Sequence, residues 1–447
     1  MSLARDFART YVGKTAADLP DQALDYASML IASTLASAAF GTGIESLKIT
    51  KSLALQPGGA EESSLWYDGR KLPLAAAARV NAVMSDSAAS DDSDLRNIVH
   101  PGTPLTATTL ALGEKLGSSG EEVLKAIVLG YDAQARMGSA MTGMYAAGYH
   151  GCSIAIFGAT VAAGVLVGLD EEQMTHAIAL AATSIGGMMA AANTSISREY
   201  HAGLATLLAI EAARAAEAGY TGEEQILEMP RGFIALHGGG DAALALEGLG
   251  DEWLILREIA IKMVPGAHQY HASAEAAAAA ARAGNVAPED IEQIVVSRPG
   301  ITSLAGPVHP KDLIDMAHSA TYFVAAAAAD RDFGWVHASE AKILDPVINA
   351  LCDRVVIGAQ PATDLERYKQ GATVTIRTKA GQEHSATVFA PRGSGDNVRW
   401  DDVASKCHAL MPAAGLSDER IDDLLAAVKA LCQAPDVLGA LQGVSAR

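Results

Sequence analysis

The 447-residue chain is poor in aromatic residues and cysteines. Phe, Trp and Tyr make up 5% of it although 50% of the residues are hydrophobic, so the core must consist mainly of Ala, Leu, Val and Ile. Its four cysteines show neither a Cys-x-x-Cys pair nor regular spacing, which argues against a zinc site or a disulfide framework. We expect reduced thiols and a cytoplasmic location.

Net positive charge is also lacking. The sequence contains 33 Lys and Arg against 52 Asp and Glu, a formal charge of -19. This balance argues against a nucleic-acid partner but is compatible with a local cationic pocket for a small anion. The N-terminus has no basic segment followed by an apolar stretch, and we predict neither an export signal nor a membrane span.

Helical periodicity dominates the first part of the chain. Apolar residues recur at helical spacing over 21–40, 103–116 and 121–141. Residues 154–169 are apolar on nearly all sides, which predicts a helix at the centre of a bundle. A second central helix is predicted at 202–218.

The pattern changes after Pro265. One more helix is predicted at 272–283, and β-branched runs then predict an antiparallel sheet from strands at 291–296, 354–357, 372–376 and 384–388. Helices are predicted at 315–329 and 346–352, and again over 401–431. The predicted fold is mainly α: a large helical bundle domain, 1–265 with 400–447, interrupted by a smaller α+β lid domain, 266–399. A cleft between domains is a common place for a ligand.

Three short segments carry the most chemistry: 148–151, 198–203 and 262–268. Each sets imidazoles or cations beside glycine, and a buried His, Arg or Lys needs a partner or water. A polar pocket between helices would provide both.

Each of these side chains also has a structural interpretation. His150 could cap a helix that begins near Ser153, and His201 could pin the N-terminus of its own helix. Lys262 could be the solvated end of a strand or helix. Of His268 and His271, one is expected to be an ordinary surface residue.

In its motifs and their order, the chain resembles the MmgE/PrpD family, which includes 2-methylcitrate dehydratase, cis-aconitate decarboxylase and iminodisuccinate epimerase. The resemblance rests on Asp91-Asp92-Ser93 followed by His100-Pro101-Gly102, Gly148-x-His150, Phe157-Gly158-Ala159 to Gly168-Leu169, His201-x-Gly203, Gly219-x-x-Gly222, Lys262-x-x-Pro265, Ala317-x-Ser319-x-x-Tyr322 and Pro391-Arg392-Gly393.

That resemblance implies a helical domain with an α+β lid, an active site between them, a homodimer, and no metal or organic cofactor. It implies a small di- or tricarboxylate substrate and chemistry that begins by removing a proton next to a carboxylate. The site residues that it implies are His100, His150, Lys262 and His268.

Two positions depart from the family pattern. Ala89 stands where the family has an aspartate, and Arg198 stands where many members have lysine. Arginine stays protonated and cannot act as a base, but its planar fork suits a carboxylate. We therefore interpret Arg198 as a substrate clamp that, with His201 and Lys262, faces the charge developing on an enediolate.

These departures favour a cofactor-independent epimerase of a small amino-dicarboxylate resembling iminodisuccinate. Epimerisation requires acid/base groups on both faces of one carbon. Tyr145 lies in a glycine-bounded loop leading to His150, and we predict that Lys262 lowers its pKa. The predicted catalytic residues are Tyr145, His150 and Lys262; the predicted substrate-binding residues are His100, Arg198, His201 and His268. His150 opposite Lys262 is the second choice of acid/base pair.

Two alternatives remain open at the level of the sequence. One is a lyase of the same family that dehydrates or decarboxylates a citrate-like acid, although Ala89 counts against it. The other is a non-catalytic ligand-binding member.

Further polar groups receive structural interpretations. Asp91, Asp92 and Asp94 are expected to be solvated charges or a helix cap rather than metal ligands. The run Gly238–Gly240 is expected to be a flexible loop, since no strand and Gly-x-Gly-x-x-Gly turn precede it. His176, His237 and His408 are taken as structural.

Overall fold

The computed structural model describes residues 2–97, 99–393 and 397–445. The chain folds into two compact units. The first, here called the helical unit, comprises Met1–Ile261 and Arg399–Arg447. The second, the inserted unit, comprises Lys262–Val398. The architecture is mainly α with an α+β insertion, as predicted.

The first part of the helical unit contains twelve α-helices and four short strands among its described residues. The helices are α1 (Leu3–Tyr11), α2 (Asp21–Gly41), α3 (Glu45–Leu55), α4 (Leu74–Ser87), α5 (Gly102–Leu116), α6 (Gly120–Ala140), α7 (Cys152–Val167), α8 (Glu171–Ser184), α9 (Met189–Thr194), α10 (Ser197–Glu217), α11 (Phe233–Leu236) and α12 (Leu254–Glu258). The strands are β1 (Ser63–Ser64), β2 (Lys71–Leu72), β3 (Asp92–Asp94) and β4 (Ile259–Ile261).

Helix α7 lies at the centre of this bundle, as its uniformly apolar sequence predicts. Its residues from Cys152 to Gly164 are all buried, and it packs against α5, α6, α8 and α10. Neighbouring helix ends follow ordinary capping chemistry. At the start of α6, for example, Ser119 and Glu122 form a reciprocal capping box.

Helix α2 alone among the described helices is long and apolar enough to cross a membrane by length and composition. Of its most apolar window, 89% is buried inside the protein. Burial to this extent is what a core helix requires, and α2 packs against α4 and α6 within the helical unit.

The described residues of the inserted unit form five α-helices and a four-stranded sheet. Its elements are α13 (His271–Ala283), β5 (Ile291–Ser297), α14 (Leu313–His318), α15 (Ala320–Asp330), α16 (Glu340–Ile343), α17 (Pro346–Cys352), β6 (Val355–Ile357), β7 (Ala372–Thr378) and β8 (Glu383–Val388). The strand order is β6-β5-β7-β8. Helix α13 packs on β7 and β8 and against α15, which closes an Ala-rich core.

The sheet differs from the prediction in one pairing. Strands β5 and β6 run parallel, whereas β5–β7 and β7–β8 are antiparallel. A parallel pair needs a long crossover connection. Helices α14 to α17 lie between β5 and β6 in the chain and provide one.

The helix predicted over 315–329 is also interrupted. Ser319 separates α14 from α15, and its side chain accepts a hydrogen bond from the backbone N–H of Tyr322. Serine is a favoured N-cap, so it begins a new helix here.

The chain then returns to the helical unit in α18 (Trp400–Leu410), α19 (Asp418–Lys429), α20 (Val437–Ala440) and α21 (Gln442–Ser445). The predicted helical stretch 401–431 is thus divided. Pro412 lies in a 3₁₀ turn after α18, and Gly415 has a φ of 82°. Both residues favour a helix end.

Candidate functional site

His100 lies just before α5, and its ring is oriented by backbone. Its Nδ1 is 2.6 Å from the carbonyl oxygen of Asp92 and 3.5 Å from Oδ2 of Asp91. A carbonyl oxygen only accepts hydrogen bonds, so Nδ1 carries a proton, and in the neutral ring the lone pair lies on Nε2. This is the tautomer that a general base requires at Nε2.

The acidic residues before His100 are buried rather than solvated. Asp91, Asp92 and Asp94 are each at most 1% exposed, so the expectation of solvated charge is wrong. Asp92 does cap a helix: its Oδ1 accepts from the N–H of Gly102 at 2.9 Å, and its Oδ2 accepts from the Tyr131 hydroxyl at 2.5 Å. Among the described residues, no group of three or more His, Cys, Asp or Glu side chains could hold a metal ion.

His150 is held by backbone pairing at the start of α7. Its N–H donates to the carbonyl oxygen of Gly187 at 3.0 Å, and its Nδ1 accepts from the N–H of Cys152 at 3.4 Å. His150 therefore caps the start of α7 through its Nδ1 atom, as its structural interpretation predicts. Since Nδ1 accepts, the proton of the neutral ring lies on Nε2.

Burial keeps the ring of His150 neutral. It lowers the pKa of His150 to about 3, and the charge of Arg198 and the protonated forms of His100 and His201 act in the same direction. These four predicted site residues are thus brought together in the helical unit. At neutral pH, His150 is a hydrogen-bond donor through Nε2 rather than a base.

Tyr145 lies in the loop between α6 and α7, as predicted, but its acidity is the opposite of the prediction. Its hydroxyl is buried and has no hydrogen-bond partner among the described residues. Burial, followed by the charges of Asp94 and Cys152, raises the pKa of Tyr145 well above its ordinary value. The predicted lowering of this pKa is wrong, because Tyr145 stays protonated in this environment.

The Gly238–Gly240 segment packs closely on the Tyr145 loop. The carbonyl oxygen of Gly239 accepts from the N–H of Gly143 at 3.3 Å. A Cβ on Gly240 would lie 1.8 Å from the carbonyl oxygen of Ala140, and Gly240 has a φ of +156°. Only glycine can take this conformation so close to another backbone. The Gly238–Gly240 segment therefore packs closely against the Tyr145 loop and supports it.

Arg198 is paired with acids of the helical unit. Its Nε donates to Oδ2 of Asp86 at 3.0 Å, and its Nη2 donates to the Asp86 carbonyl oxygen at 2.6 Å and to Glu199 at 3.2 Å. Burial alone would lower the pKa of Arg198, but the charges of Asp86 and Glu199 raise it. The Nε–Nη2 edge is therefore already occupied, which disfavours bidentate clamping of a substrate through that edge.

His201 lies in the first turns of α10 beside His150, with ring centroids 5.4 Å apart. Its Nδ1 is buried and has no hydrogen-bond partner among the described residues. The alternative that this ring pins the helix terminus through backbone contacts is therefore not observed. Burial lowers the pKa of His201, and Asp86 opposes the shift.

Lys406 was not predicted from the sequence, yet it supports the acidic segment. Its side chain is 1% exposed. The Nζ atom donates to the Ser33 hydroxyl at 2.7 Å, to the carbonyl oxygen of Ser90 and to that of Asp91 at 3.4 Å. It therefore fixes the backbone that presents Asp91 to His100.

The remaining predicted residues belong to the inserted unit. Lys262 is 2% exposed, so its interpretation as a solvated strand end is wrong. His268 is 0% and His271 is 1% exposed, with ring centroids 4.5 Å apart. Neither is an ordinary surface residue. The roles predicted for Lys262 and His268 stay predictions.

Asp86 was also missed by sequence reasoning. It is separated from Arg198 by 112 positions, so no local pattern connects them. The three histidines taken as structural have partners. Nδ1 of His176 accepts from the N–H of Gly222 at 3.4 Å, His237 stacks on Phe233 with ring centroids 3.9 Å apart, and His408 lies 3.0 Å from Asp422.

Two family domains match this chain. The MmgE/PrpD N-terminal domain matches residues 5–244, and the MmgE/PrpD C-terminal domain matches residues 265–430. The chain belongs to the MmgE/PrpD family. The family predicted from the motifs is thereby confirmed.

The relatives found in this family include cis-aconitate decarboxylases. The human enzyme is 26% identical over 93% of this chain and 93% of its own length. The mouse enzyme is 28% identical over 74% of this chain and 70% of its own length. An Aspergillus terreus enzyme is 26% identical over 53% of this chain and 51% of its own length. These relatives are lyases, so they favour the lyase alternative over the predicted epimerase.

Proposed function

We propose that this protein is a lyase that decarboxylates a small tricarboxylate resembling cis-aconitate. The observation that carries the proposal is the buried, protonated hydroxyl of Tyr145, which has no hydrogen-bond partner in the described part of the chain. Loss of carbon dioxide from a carboxylate leaves an electron pair on carbon. That carbon must then take up one proton, so the reaction needs an acid at the site.

Tyr145 is suited to this role even though its pKa is raised. A carbanion next to a carboxylate is a much stronger base than a phenolate, so the phenol can still transfer its proton. The product phenolate then regains a proton from solvent. No oxidant, reductant or second substrate enters this balance.

The histidines have complementary roles in this proposal. His150 donates through Nε2 to an oxygen that gains negative charge as carbon dioxide leaves. His100, with its lone pair on Nε2, accepts a hydrogen bond or a proton from the substrate. The guanidinium of Arg198 adds local positive potential, whereas burial lowers the pKa of His201 and keeps its ring neutral.

Epimerisation is the second candidate, and one observation favours it. At Nε2, the neutral ring of His100 has a lone pair and the neutral ring of His150 has a proton. The two rings are close enough for their charges to interact. Such a pair could remove a proton from one carbon and return one to it. Tyr145 cannot be the second base, because its raised pKa keeps it protonated.

Proton NMR in deuterated water separates these reactions. The purified protein is incubated with cis-aconitate, citrate, methylcitrate and iminodisuccinate in turn. We expect loss of carbon dioxide from a tricarboxylate, with one deuterium on the product carbon. Loss of water would establish a dehydratase, and exchange at an α-carbon without another product would establish the epimerase. Either result, or no reaction with any of the four, would overturn the decarboxylase proposal.

A further inference from the structure

The inserted unit contains a cavity of about 220 Å³ beside the end of β5. It is smaller than the roughly 300–1,000 Å³ typical of sites for drug-sized ligands, so its occupant must be small. Its polar lining consists of Gln269, Tyr270, Ser273, Arg298, Thr302 and Ser303.

Among the described residues of this lining, Arg298 is the only charged side chain. It follows the last residue of β5, and its Nη1 donates to the carbonyl oxygen of Gln269 at 2.7 Å. Burial lowers the pKa of Arg298, and the one group that opposes this shift is the phenol of Tyr270. Within the described residues, Arg298 therefore has no carboxylate partner.

Two other buried arginines of this chain are paired with acids. Arg136 forms an ion pair with Asp132 at 2.7 Å, and Arg198 forms one with Asp86 at 3.0 Å. A partly buried guanidinium without an acid is costly unless a carbonyl oxygen, an anion or water compensates its charge. Arg298 lines a cavity, and in a protein with a formal charge of -19 a guanidinium without an acid at such a place suits an external anion.

We propose that this cavity binds a small organic anion through one carboxylate group held by Arg298. The guanidinium offers a planar set of donors that matches a carboxylate. Hydroxyl groups of Ser273, Thr302 and Ser303 line the remainder and suit polar substituents. One positive charge balances one carboxylate, whereas a phosphate dianion would leave excess negative charge in a partly buried site.

This inference goes beyond the proposed function. Every residue that lines the cavity belongs to the inserted unit, and the decarboxylation proposed above uses none of them. Its test can therefore be made without turnover.

Site-resolved chemical labelling tests the proposal. Phenylglyoxal reacts with accessible guanidinium groups, and mass spectrometry of the peptides reports the extent of labelling at each arginine. We expect saturating lactate, a monocarboxylate with one hydroxyl group, to slow the labelling of Arg298 at least tenfold. Labelling of Arg377, an arginine on β7 with an exposed side chain, should not change. Equal labelling of Arg298 with and without lactate would overturn the proposal, and protection by phosphate alone would overturn the carboxylate assignment.

Calorimetric titration of lactate into variants gives a second readout. Arg298→Gln should lose one binding event or weaken it at least tenfold, as expected for loss of a charge-assisted hydrogen bond. Arg298→Lys, which keeps the charge but not the planar fork, should bind with intermediate affinity. The matched control Arg377→Gln should titrate like the parent protein, and thermal melting verifies that each variant is folded. Unchanged titration of Arg298→Gln would contradict the proposal, whereas inactivity toward the four acids would contradict only the decarboxylase.

Discussion

Lys406 donates a hydrogen bond to the backbone carbonyl oxygen of Ser90, across 316 positions of the chain. The same ammonium group also reaches the carbonyl oxygen of Asp91. A buried lysine thus holds the backbone on which the carboxylate beside His100 is mounted. This makes α18, the first helix after the inserted unit, part of the support of the candidate site.

Replacement of Lys406 by methionine should loosen that support. The change keeps an apolar stem but leaves buried carbonyl oxygens without a donor, at a cost of about 1–3 kcal/mol in the free energy of unfolding. We also expect kcat to fall more than substrate affinity, because Asp91 no longer orients His100. Urea unfolding and steady-state kinetics measure the two effects. Lys48→Met, at a side chain that is 60% exposed, is the control and should change neither.

His150 should make stability depend on pH. Its folded pKa is about 3, below the ordinary value of 6.5, so the unfolded chain binds the proton more readily. The contribution of the neutral ring is therefore fully present above pH 6.5 and is lost progressively as the pH falls toward 3. At pH 5 the loss is on the order of 2 kcal/mol.

Urea unfolding at pH 7.5 and pH 5 checks this expectation. The difference between the two pH values should be smaller in His150→Gln than in the parent protein by about that amount. An identical pH dependence in the parent and in His150→Gln would show that the ring is not buried in its neutral form.

Tyr145→Phe should separate catalysis from folding. The hydroxyl has no hydrogen-bond partner among the described residues, so its removal should leave the melting temperature unchanged or slightly raised. Loss of a general acid should lower kcat by roughly 10²–10⁴-fold. Tyr149→Phe, in the same loop, should retain kcat within about twofold if Tyr145 alone donates the proton. Full activity of Tyr145→Phe would remove the basis of the proposed mechanism.

The pairing of Arg198 with Asp86 predicts a compensating pair of variants. Arg198→Gln leaves two acids without their cation and should cost about 3–5 kcal/mol. Asp86→Asn in the same chain should recover part of that loss, since the uncompensated carboxylate is removed. Denaturant unfolding of the single and double variants measures the coupling. Additive losses would indicate that the ion pair contributes no coupling energy.

The backbone conformation of Ala89 leads us to predict that a glycine there stabilises the protein. It has a φ of 50°, a left-handed conformation that costs a residue with a Cβ about 1–2 kcal/mol. Ala89→Gly removes that cost and loses one buried methyl group, worth about 0.8 kcal/mol. We expect a net gain of up to about 1 kcal/mol in thermal or urea unfolding. Ala88→Gly, at a residue with a φ of -82°, should be destabilising instead.

The long helices could be predicted because their apolar spacing is local. The prediction of 121–141 against the observed Gly120–Ala140 is one example. The interruption at Ser319 was missed because a capping serine and a serine inside a helix look alike in one sequence. The parallel pairing of β5 and β6 was missed because strand direction depends on the path of the helices between them.

The site was predictable only in part for the same physical reason. His100, His150, Arg198 and His201 occur in short polar segments, and the helical unit brings them together. Their protonation states depend on partners that the sequence does not place: the carbonyl of Asp92, the N–H of Cys152 and the carboxylate of Asp86. The direction of the Tyr145 pKa was wrong because burial, not a neighbouring cation, dominates it.

The helical unit is formed by two segments of the chain that are separated by the inserted unit. This arrangement also determines when the helical unit can finish folding during synthesis. The helices that pack on α2 are synthesised at two different times, because α18 and α19 pack on it and lie near the end of the chain. Until they emerge, the apolar helix α2 lacks part of its cover, and Lys406 has not reached Ser90. The inserted unit is continuous in sequence and needs no such delay. Assembly of the candidate site is therefore a late event, coupled to the arrival of the second segment of the helical unit.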